Sequence, residues 1–222
     1  MDWAGIDEWI YRRLTELVDV LPMRFVKLVA HNYTDARVRK LYWRRLGLEM
    51  GEGTYANLGL TLLSDDYTPR VHIGNHVSIA ANVTFVPMAS ANNGQEINTY
   101  PYVRDHLTKA ADIVVEDEVW IGADVTILPG VHIGDGAIIA ARSVLTRDIP
   151  PYTIAGGNPA AVRRQRFDEA LTALLLELRW WDFPPEVLAQ ALPMLCNPDL
   201  EAFTRWAQDL LRQRSTQKDS NR

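Results

Sequence analysis

Histidine is the side chain best suited to proton transfer near neutral pH, because its unperturbed pKa is about 6.5. The chain has five histidines. Only His106 falls in an irregular polar stretch, residues 86–112, from which a side chain could reach a bound molecule. His31 falls in a predicted helix, and the other three occupy outward positions of a regular repeat: His72, His76 and His132. His106 is therefore the candidate general base.

The stretch 86–112 carries further groups that can exchange a proton or orient a hydroxyl, namely the carboxylate Glu96 and the amides Asn92 and Asn93. A long irregular segment that interrupts a rigid repeat is usually functional. The single cysteine, Cys196, lies in an apolar stretch, so we expect a buried, unreactive thiol. One cysteine excludes an internal disulfide framework and fits a reducing, cytoplasmic environment.

The elements that must hold the loop 86–112 in place have a sequence that repeats every six residues. An aliphatic residue recurs at every sixth position: Val115, Ile121, Ile127, Ile133, Ile139 and Leu145. Four residues after each stands a second small or aliphatic side chain: Val119, Val125, Val131, Ala137, Ser143 and Ile149. The same pattern appears upstream at Ile73, Ile79 and Phe85, with Val77 and Val83. Neither a helix nor an ordinary strand has this period, which predicts a parallel β-helix of hexapeptide repeats.

In such a solenoid each hexad forms one face of a triangular prism, and three hexads complete a coil of 18 residues. The first aliphatic residue points inward, and the one four later lies near a corner. Turns are predicted at Gly74-Asn75, Gly122-Ala123-Asp124 and Gly134-Asp135-Gly136, because these residue types tolerate a positive φ.

Three regions follow from the pattern: an N-terminal helical segment at 1–46, a β-helix at 47–162 interrupted by the loop at 86–112, and C-terminal helices at 163–222. The N-terminal helices break at Pro22, and residues 24–45 hold seven bases against one acid, Asp35. These bases indicate a solvated helix face or, alternatively, attraction to a membrane surface. The net charge of −5 gives no reason to expect nucleic-acid binding, and acids ahead of any base argue against a secretion signal.

Two runs, Asp117 to Gly136 and Asp148 to Ala160, strongly resemble the hexapeptide-repeat O-acetyltransferases, which fold as a left-handed β-helix. That family includes sugar and capsule acetyltransferases and xenobiotic acetyltransferases. The segments Arg166 to Glu169 and Leu178 to Asp182 resemble the xenobiotic branch, whereas the N-terminal helices are more similar to the sugar branch. The resemblance implies a homotrimer that binds acetyl-CoA in the groove between neighbouring prisms.

The resemblance also implies site residues. Trp120 would lie at the active-site end of the groove, and the acceptor side would include Asn92, Asn93 and Tyr100. The pantetheine arm would follow Gly122, Ala123, Ala140, Ala141 and Ser143. The adenine and phosphate end would meet Gly157, Asn158, Pro159 and Arg163, with Arg147 or Arg164 as a further cation for phosphate.

The family's base, a loop histidine, is absent at its usual place. Asn93 occupies that place in the alignment with the xenobiotic branch, and the spacing of the sugar branch leads to Glu96. Three interpretations stay open: His106 is the base; Glu96 or another group is the base while Asn92 and Asn93 orient the acceptor; or the groove serves for binding only.

Zinc chemistry of the carbonic-anhydrase-like branch is not expected, because the histidine spacing does not match its three-histidine site. We therefore expect a cytoplasmic enzyme that moves an acetyl group from acetyl-CoA to a hydroxyl of a sugar or polysaccharide precursor, without a metal. The alternatives are a xenobiotic O-acetyltransferase and a non-catalytic trimeric hexapeptide-repeat protein.

Overall fold

The computed structural model describes residues 11–17, 20–22, 36–45, 47–56, 61–62, 70–90 and 108–220. The chain divides into two compact units, Met1–Arg163 and Arg164–Arg222, which are described separately.

The first unit consists mainly of very short strands. Residues 11–17 are helical, and helix α1 spans Ala36–Arg45. The strands follow in chain order: β1 Leu48–Met50, β2 Tyr55–Ala56, β3 Thr61–Leu62, β4 Val71–Ile73, β5 Ser78–Ile79, β6 Thr84–Phe85, β7 Met88–Ser90, β8 Thr108–Ala110, β9 Ile113–Val115, β10 Trp120–Ile121, β11 Thr126–Ile127, β12 His132–Ile133, β13 Ile138–Ile139, β14 Val144–Leu145, β15 Thr153–Gly157 and β16 Ala160–Gln165.

All of these strands except β7 and β8, which pair with each other, form three sheets that the chain visits in turn. Sheet A is ordered β1-β4-β9-β12, sheet B is ordered β16-β15-β13-β10-β5-β2, and sheet C is ordered β14-β11-β6-β3. Successive coils pair in parallel, so Ile121 pairs with Ile139 and Ile127 with Leu145. The offset between such coils is the 18 residues that the sequence predicts. Insertions lengthen the earlier coils: 23 residues separate Tyr55 from Ser78.

The inward positions of the repeat form the core. Every residue of both predicted series from Val115 to Ile149 is buried, and so are the upstream members at Ile73, Val77, Ile79, Val83 and Phe85. Burying one such aliphatic side chain contributes roughly 1.5–3 kcal/mol, so each coil depends on the coils above and below it. The hexapeptide prediction is confirmed for this part of the chain.

Two of the three predicted turns take a positive φ at a predicted residue, Asp124 and Gly136, whereas the turn at Gly74-Asn75 takes it at His76. The residue with positive φ stands three places after the inward aliphatic one, and it is usually not glycine: His76, Asn82, Glu118, Asp124, Gly130, Gly136 and Arg142. Gly74 and Gly122 are needed instead for close approach of the backbone. A Cβ on Gly122 would lie 2.6 Å from the amide nitrogen of Ala141.

Helix α1 covers the first coil, since Trp43 belongs to the same buried cluster as Leu48. Two of its basic side chains turn into the protein. The Lys40 ammonium donates to the Gly51 carbonyl at 2.6 Å, and the Arg45 guanidinium donates to the Leu21 carbonyl. Burial lowers the pKa of Lys40, while the charge of Glu52 acts in the opposite direction. None of the helices within the described ranges is long and apolar enough to cross a membrane.

The second unit is helical. It contains α2 (Glu169–Leu178), a 3-10 turn (Trp180–Asp182), α3 (Pro185–Leu195) and α4 (Leu200–Ser220). Asp168 caps α2 by accepting from the Leu171 amide at 2.8 Å. The apolar stripe of α2 is buried at Leu171, Leu174, Leu175 and Leu178.

Pro185 occupies the first turn of α3, a position that needs no backbone donor. One expectation about this unit is wrong. Cys196 is exposed rather than buried, since it caps the C-terminal end of α3.

Candidate active site

The outer surface of sheet B carries a line of side chains that sequence reasoning covered only in part. The register pairs Tyr55 with Ser78, Ser78 with Trp120, Trp120 with Ile138, and Ile138 with Ile154. In each strand, the next residue along the chain is buried in the core. Because side chains alternate along a strand, the residues of this line point outward. Trp120 is 54% exposed and Tyr55 is 53% exposed. Two large exposed aromatic side chains on one rigid sheet indicate a binding surface.

Beyond Trp120, the same sheet ends in residues with almost no side chain. We call Gly122, Ala123, Ala140, Ala141 and Gly156 the small-residue column. The Gly122 amide donates to the Ile139 carbonyl and the Ala140 amide to the Ala155 carbonyl, both at 2.9 Å. A Cβ on Gly156 would lie 2.8 Å from the Cβ of Ala140. Gly156 is buried against Ala140, and the other four residues present only backbone and methyl groups at the surface, which leaves room for a slender ligand arm.

Ser143 supports the small-residue column from behind. Its side chain is completely buried, so it does not face the surface of the column where a ligand arm would lie. Its hydroxyl donates to the Ala140 carbonyl at 2.6 Å and accepts from the Gly157 amide at 3.1 Å. Ser143 thus ties the corner after β13 to the end of β15.

A cation lies at the far end of the small-residue column. The Arg163 guanidinium Nε donates to the Gly156 carbonyl at 3.1 Å. Gly157, with φ of +112°, brings the chain so close that a Cβ there would lie 2.7 Å from the guanidinium. The Asn158–Pro159 peptide bond is cis. The structure therefore brings Gly157, Asn158, Pro159 and Arg163 together at one end of the column.

Other predicted residues are not part of this cluster. Arg147 follows β14 and lies at the next corner, between sheets C and A. Asn92, Asn93, Glu96, Tyr100 and His106 lie outside the described residues. The strands that flank their segment, β7 and β8, form an antiparallel ribbon with Met88 opposite Ala110. This ribbon leaves the prism between sheets C and A, not from sheet B.

Two of the outward histidines pair with carboxylates on sheet A. His72 lies between Glu49, 3.2 Å from Nδ1, and Asp112, 3.7 Å from Nε2. His132 Nε2 lies 2.7 Å from Glu116. Within the part of the chain that the structure describes, no three metal-ligating side chains form a group that could hold an ion.

Sequence reasoning missed Tyr55 and Ser78. Each stands directly before an inward residue, as Trp120 does before Ile121, which is the signal that could have identified them. The offset of 23 residues between Tyr55 and Ser78, in place of 18, shifts the period and hides the correspondence.

Comparisons with known proteins agree with this geometry. The family model "bacterial transferase hexapeptide (six repeats)" matches residues 112–147. A chloramphenicol acetyltransferase of Agrobacterium fabrum is 37% identical over 163 residues, which cover 68% of this chain and 78% of that protein. A galactoside O-acetyltransferase of Escherichia coli is 40% identical over 124 residues, 53% of this chain and 54% of that protein.

Among solved structures, a hexapeptide-repeat acetyltransferase of Vibrio cholerae in complex with acetyl-CoA superposes with a TM-score of 0.55 and 28% identity. The match covers 66% of this chain and 86% of that one. With its three parallel sheets, its matched repeats and these relatives, the chain belongs to the hexapeptide-repeat acetyltransferase family.

Proposed function

We propose that the protein transfers the acetyl group of acetyl-CoA to a hydroxyl of a sugar or polysaccharide precursor. The observation that carries this proposal is the outer surface of sheet B, where exposed Trp120 stands at the head of the small-residue column. Support for a sugar acceptor comes from two galactoside O-acetyltransferases that are 36% and 40% identical to this chain over about half its length.

The donor would lie along the small-residue column. A pantetheine arm needs exposed backbone beside residues with little bulk, and Gly122, Ala123, Ala140 and Ala141 offer both. Its thioester would reach Trp120, and its phosphates would meet Arg163 beside Gly157 to Pro159. A guanidinium suits phosphate because its donors form a planar fork.

The site would be completed by a neighbouring copy in a homotrimer of left-handed prisms, the architecture that the family implies. Support comes from the position of the ribbon β7–β8, which leaves the prism at the corner between sheets C and A, whereas Trp120 lies on sheet B. A loop leaving that corner could reach sheet B of an adjoining prism. Arg147 lies at the same corner and could supply a second cation to a neighbour's donor.

The chemistry would be direct acyl transfer. The acceptor oxygen attacks the thioester carbonyl, a new C–O bond forms, the C–S bond breaks, and coenzyme A leaves as the thiol. A base must take the hydroxyl proton, and a donor must stabilise the oxyanion. His106 or Glu96 would be the base, with Asn92, Asn93 and Tyr100 orienting the acceptor.

The two candidate bases make distinct predictions. Loss of a general base costs roughly 10²–10⁴ in rate. If His106 is the base, His106→Ala should lower kcat by that factor while Glu96→Gln stays within a few-fold of wild type. The reverse pattern would assign the role to Glu96, and two unaffected variants would refute both assignments.

A xenobiotic acceptor is the second candidate. It is favoured by chloramphenicol acetyltransferases that are 33–37% identical over 61–68% of this chain, a longer match than the galactoside enzymes give. We further propose a cytoplasmic location and the three regions 1–46, 47–162 and 163–222. The internal hydrogen bonds of Lys40 and Arg45 favour a structural role for α1 over a membrane-binding one.

The test is a transfer assay that follows coenzyme A release from acetyl-CoA with methyl β-galactoside, maltose or chloramphenicol. Release that depends on a sugar supports the proposal, and release with chloramphenicol alone favours the second candidate. Acetyl-CoA binding without any release would indicate a non-catalytic protein.

A further inference from the structure

Four charged side chains form a closed ring on the outer side of sheet A: Glu49, Arg70, His72 and Asp112. The Arg70 guanidinium donates to Glu49 at 2.8 Å, and the other oxygen of Glu49 lies 3.2 Å from Nδ1 of His72. Nε2 of His72 lies 3.7 Å from Asp112, which also accepts from the backbone amide of Arg70 at 2.8 Å. Each member therefore faces two others, and we call this group the charged ring.

The charged ring lies where the ribbon β7–β8 returns to the prism. Asp112 is the second residue after β8 and the last before β9, whereas Glu49 and His72 are register neighbours on β1 and β4. Next to Asp112, the Ala111 amide donates to the Pro87 carbonyl at 3.0 Å and so closes the base of the ribbon. The charged ring therefore links the base of the ribbon to β1 and β4.

Two hydrogen bonds fix the direction in which the chain enters β9. Oδ1 of Asp112 accepts from the Arg70 amide, and the Ile113 amide donates to the Arg70 carbonyl at 3.1 Å. The side chains of the charged ring are 41–55% exposed, and ion pairs that are so exposed add little stability because water screens them. Their contribution is therefore to position: they hold the Asp112 carboxylate against the Arg70 amide.

The segment between β7 and β8 contains both candidate bases, Glu96 and His106. Because the chain enters and leaves this segment through the ribbon, the angle of the ribbon on the prism helps to determine where a base on the segment can lie. A reacting group that is misplaced by about 1 Å can lower the rate roughly 10²-fold. A bond at the base of the ribbon can therefore change kcat although it lies away from the acetyl group.

We propose that Asp112 is a positioning residue for acyl transfer, which acts by tying the base of the ribbon β7–β8 to the Arg70 amide. This role rests on the proposed function, since it requires that the segment between β7 and β8 supplies the base. Asp112 should then affect the catalytic step and leave the binding of acetyl-CoA on sheet B unchanged. Glu49 and His72 complete the charged ring and keep the Asp112 carboxylate in its orientation.

The test compares the full-length protein with Asp112→Ala, Asp112→Asn and Asp148→Ala in the coenzyme A release assay, with methyl β-galactoside, maltose or chloramphenicol as the acceptor. Asp148→Ala is the matched control. The Asp148 carboxylate accepts from the His132 amide at 2.9 Å, as that of Asp112 accepts from the Arg70 amide, but it lies in the regular repeat and away from the ribbon. Acetyl-CoA affinity is measured by calorimetry, and stability by thermal melting.

We expect Asp112→Ala to lower kcat about 10- to 100-fold, the effect of a misplaced base. Asp112→Asn should recover kcat to within about threefold of wild type, because its amide oxygen can accept from the same backbone donor. Asp148→Ala should match wild type in kcat but melt at about the same temperature as Asp112→Ala, since both variants lose one hydrogen bond of the same kind. Acetyl-CoA affinity should stay unchanged throughout.

Equal kcat in wild type and Asp112→Ala, or an equal loss of kcat in Asp112→Ala and Asp148→Ala, would overturn this inference and leave the proposed function intact. A loss in Asp112→Asn as large as that in Asp112→Ala would overturn the assignment of the effect to the Arg70 amide. Failure of the wild-type protein to release coenzyme A with any of the three acceptors would refute the proposed function and this inference together.

Discussion

Ser143 offers the sharpest test of how the prism holds the small-residue column in shape. Its buried hydroxyl makes two hydrogen bonds, one to the Ala140 carbonyl and one from the Gly157 amide. Ser143→Ala removes both and leaves a backbone donor without its partner. The lost bond to Ala140 should lower the free energy of unfolding by about 1 kcal/mol, and the Gly157 amide left without its partner by about 1–3 kcal/mol. The total is about 2–4 kcal/mol.

Thr153→Val is the matched control. Thr153 is also completely buried and donates to the carbonyl three residues earlier, at Pro150, as Ser143 does at Ala140. Thr153→Val should lower the free energy of unfolding by about 1 kcal/mol. At about 2–4 °C per kcal/mol for a chain of this size, Ser143→Ala should melt roughly 4–16 °C below wild type, and the control roughly 2–4 °C below.

The binding assay separates stability from function. Because Ser143 accepts the hydrogen bond of the Gly157 amide and Thr153 does not contact it, Ser143→Ala should weaken acetyl-CoA binding several-fold at a temperature where both variants are folded, while Thr153→Val should not. Melting is compared at one protein concentration, since an oligomer's apparent stability depends on it. Equal melting temperatures and equal affinities for the two variants would refute the role assigned to Ser143.

Three further predictions concern the column, a corner and the first coil. Gly122→Ala should lower stability by about 1–3 kcal/mol and weaken acetyl-CoA binding, since its Cβ would meet the backbone of Ala141; calorimetry and thermal melting check both. Arg142→Asn should raise stability by about 0.5–1 kcal/mol, because φ is +60° there and asparagine tolerates that conformation better; an unchanged or lower denaturation midpoint would contradict it. Lys40 has a folded-state pKa below its ordinary 10.5, so the folded protein releases this proton first and stability should rise with pH as 10.5 is approached. Chemical denaturation from pH 8 to 10.5 should show this rise in wild type and a smaller one in Lys40→Met.

The sequence predicts the parallel sheets well because the repeat constrains two buried positions in every six. Ile121 pairs with Ile139, and Ile127 with Leu145, only if the coil contains 18 residues, so period and architecture are linked directly. The corners are harder to predict. A left-handed backbone recurs at the third residue after the inward position, but Glu118 and Arg142 take it although their side chains do not favour it. Neighbouring coils impose that conformation, and local propensity does not reveal it.

The candidate site could be predicted only where it coincides with the regular repeat. Trp120 and Gly122 lie inside unbroken hexads, whereas Tyr55 lies in a coil whose spacing is stretched to 23 residues. The role of Ser143 depends on a contact with Gly157, 14 residues away, that no local pattern reports.

Binding of acetyl-CoA to the small-residue column is the central claim, and calorimetric titration of wild type and Ala140→Phe tests it most directly. Ala140 is exposed at the middle of the column, so a phenyl ring there should fill the groove with little effect on the core. We predict saturable binding near one site per chain for wild type and none for Ala140→Phe. Absence of wild-type binding at millimolar acetyl-CoA, or equal binding by Ala140→Phe, would contradict the account.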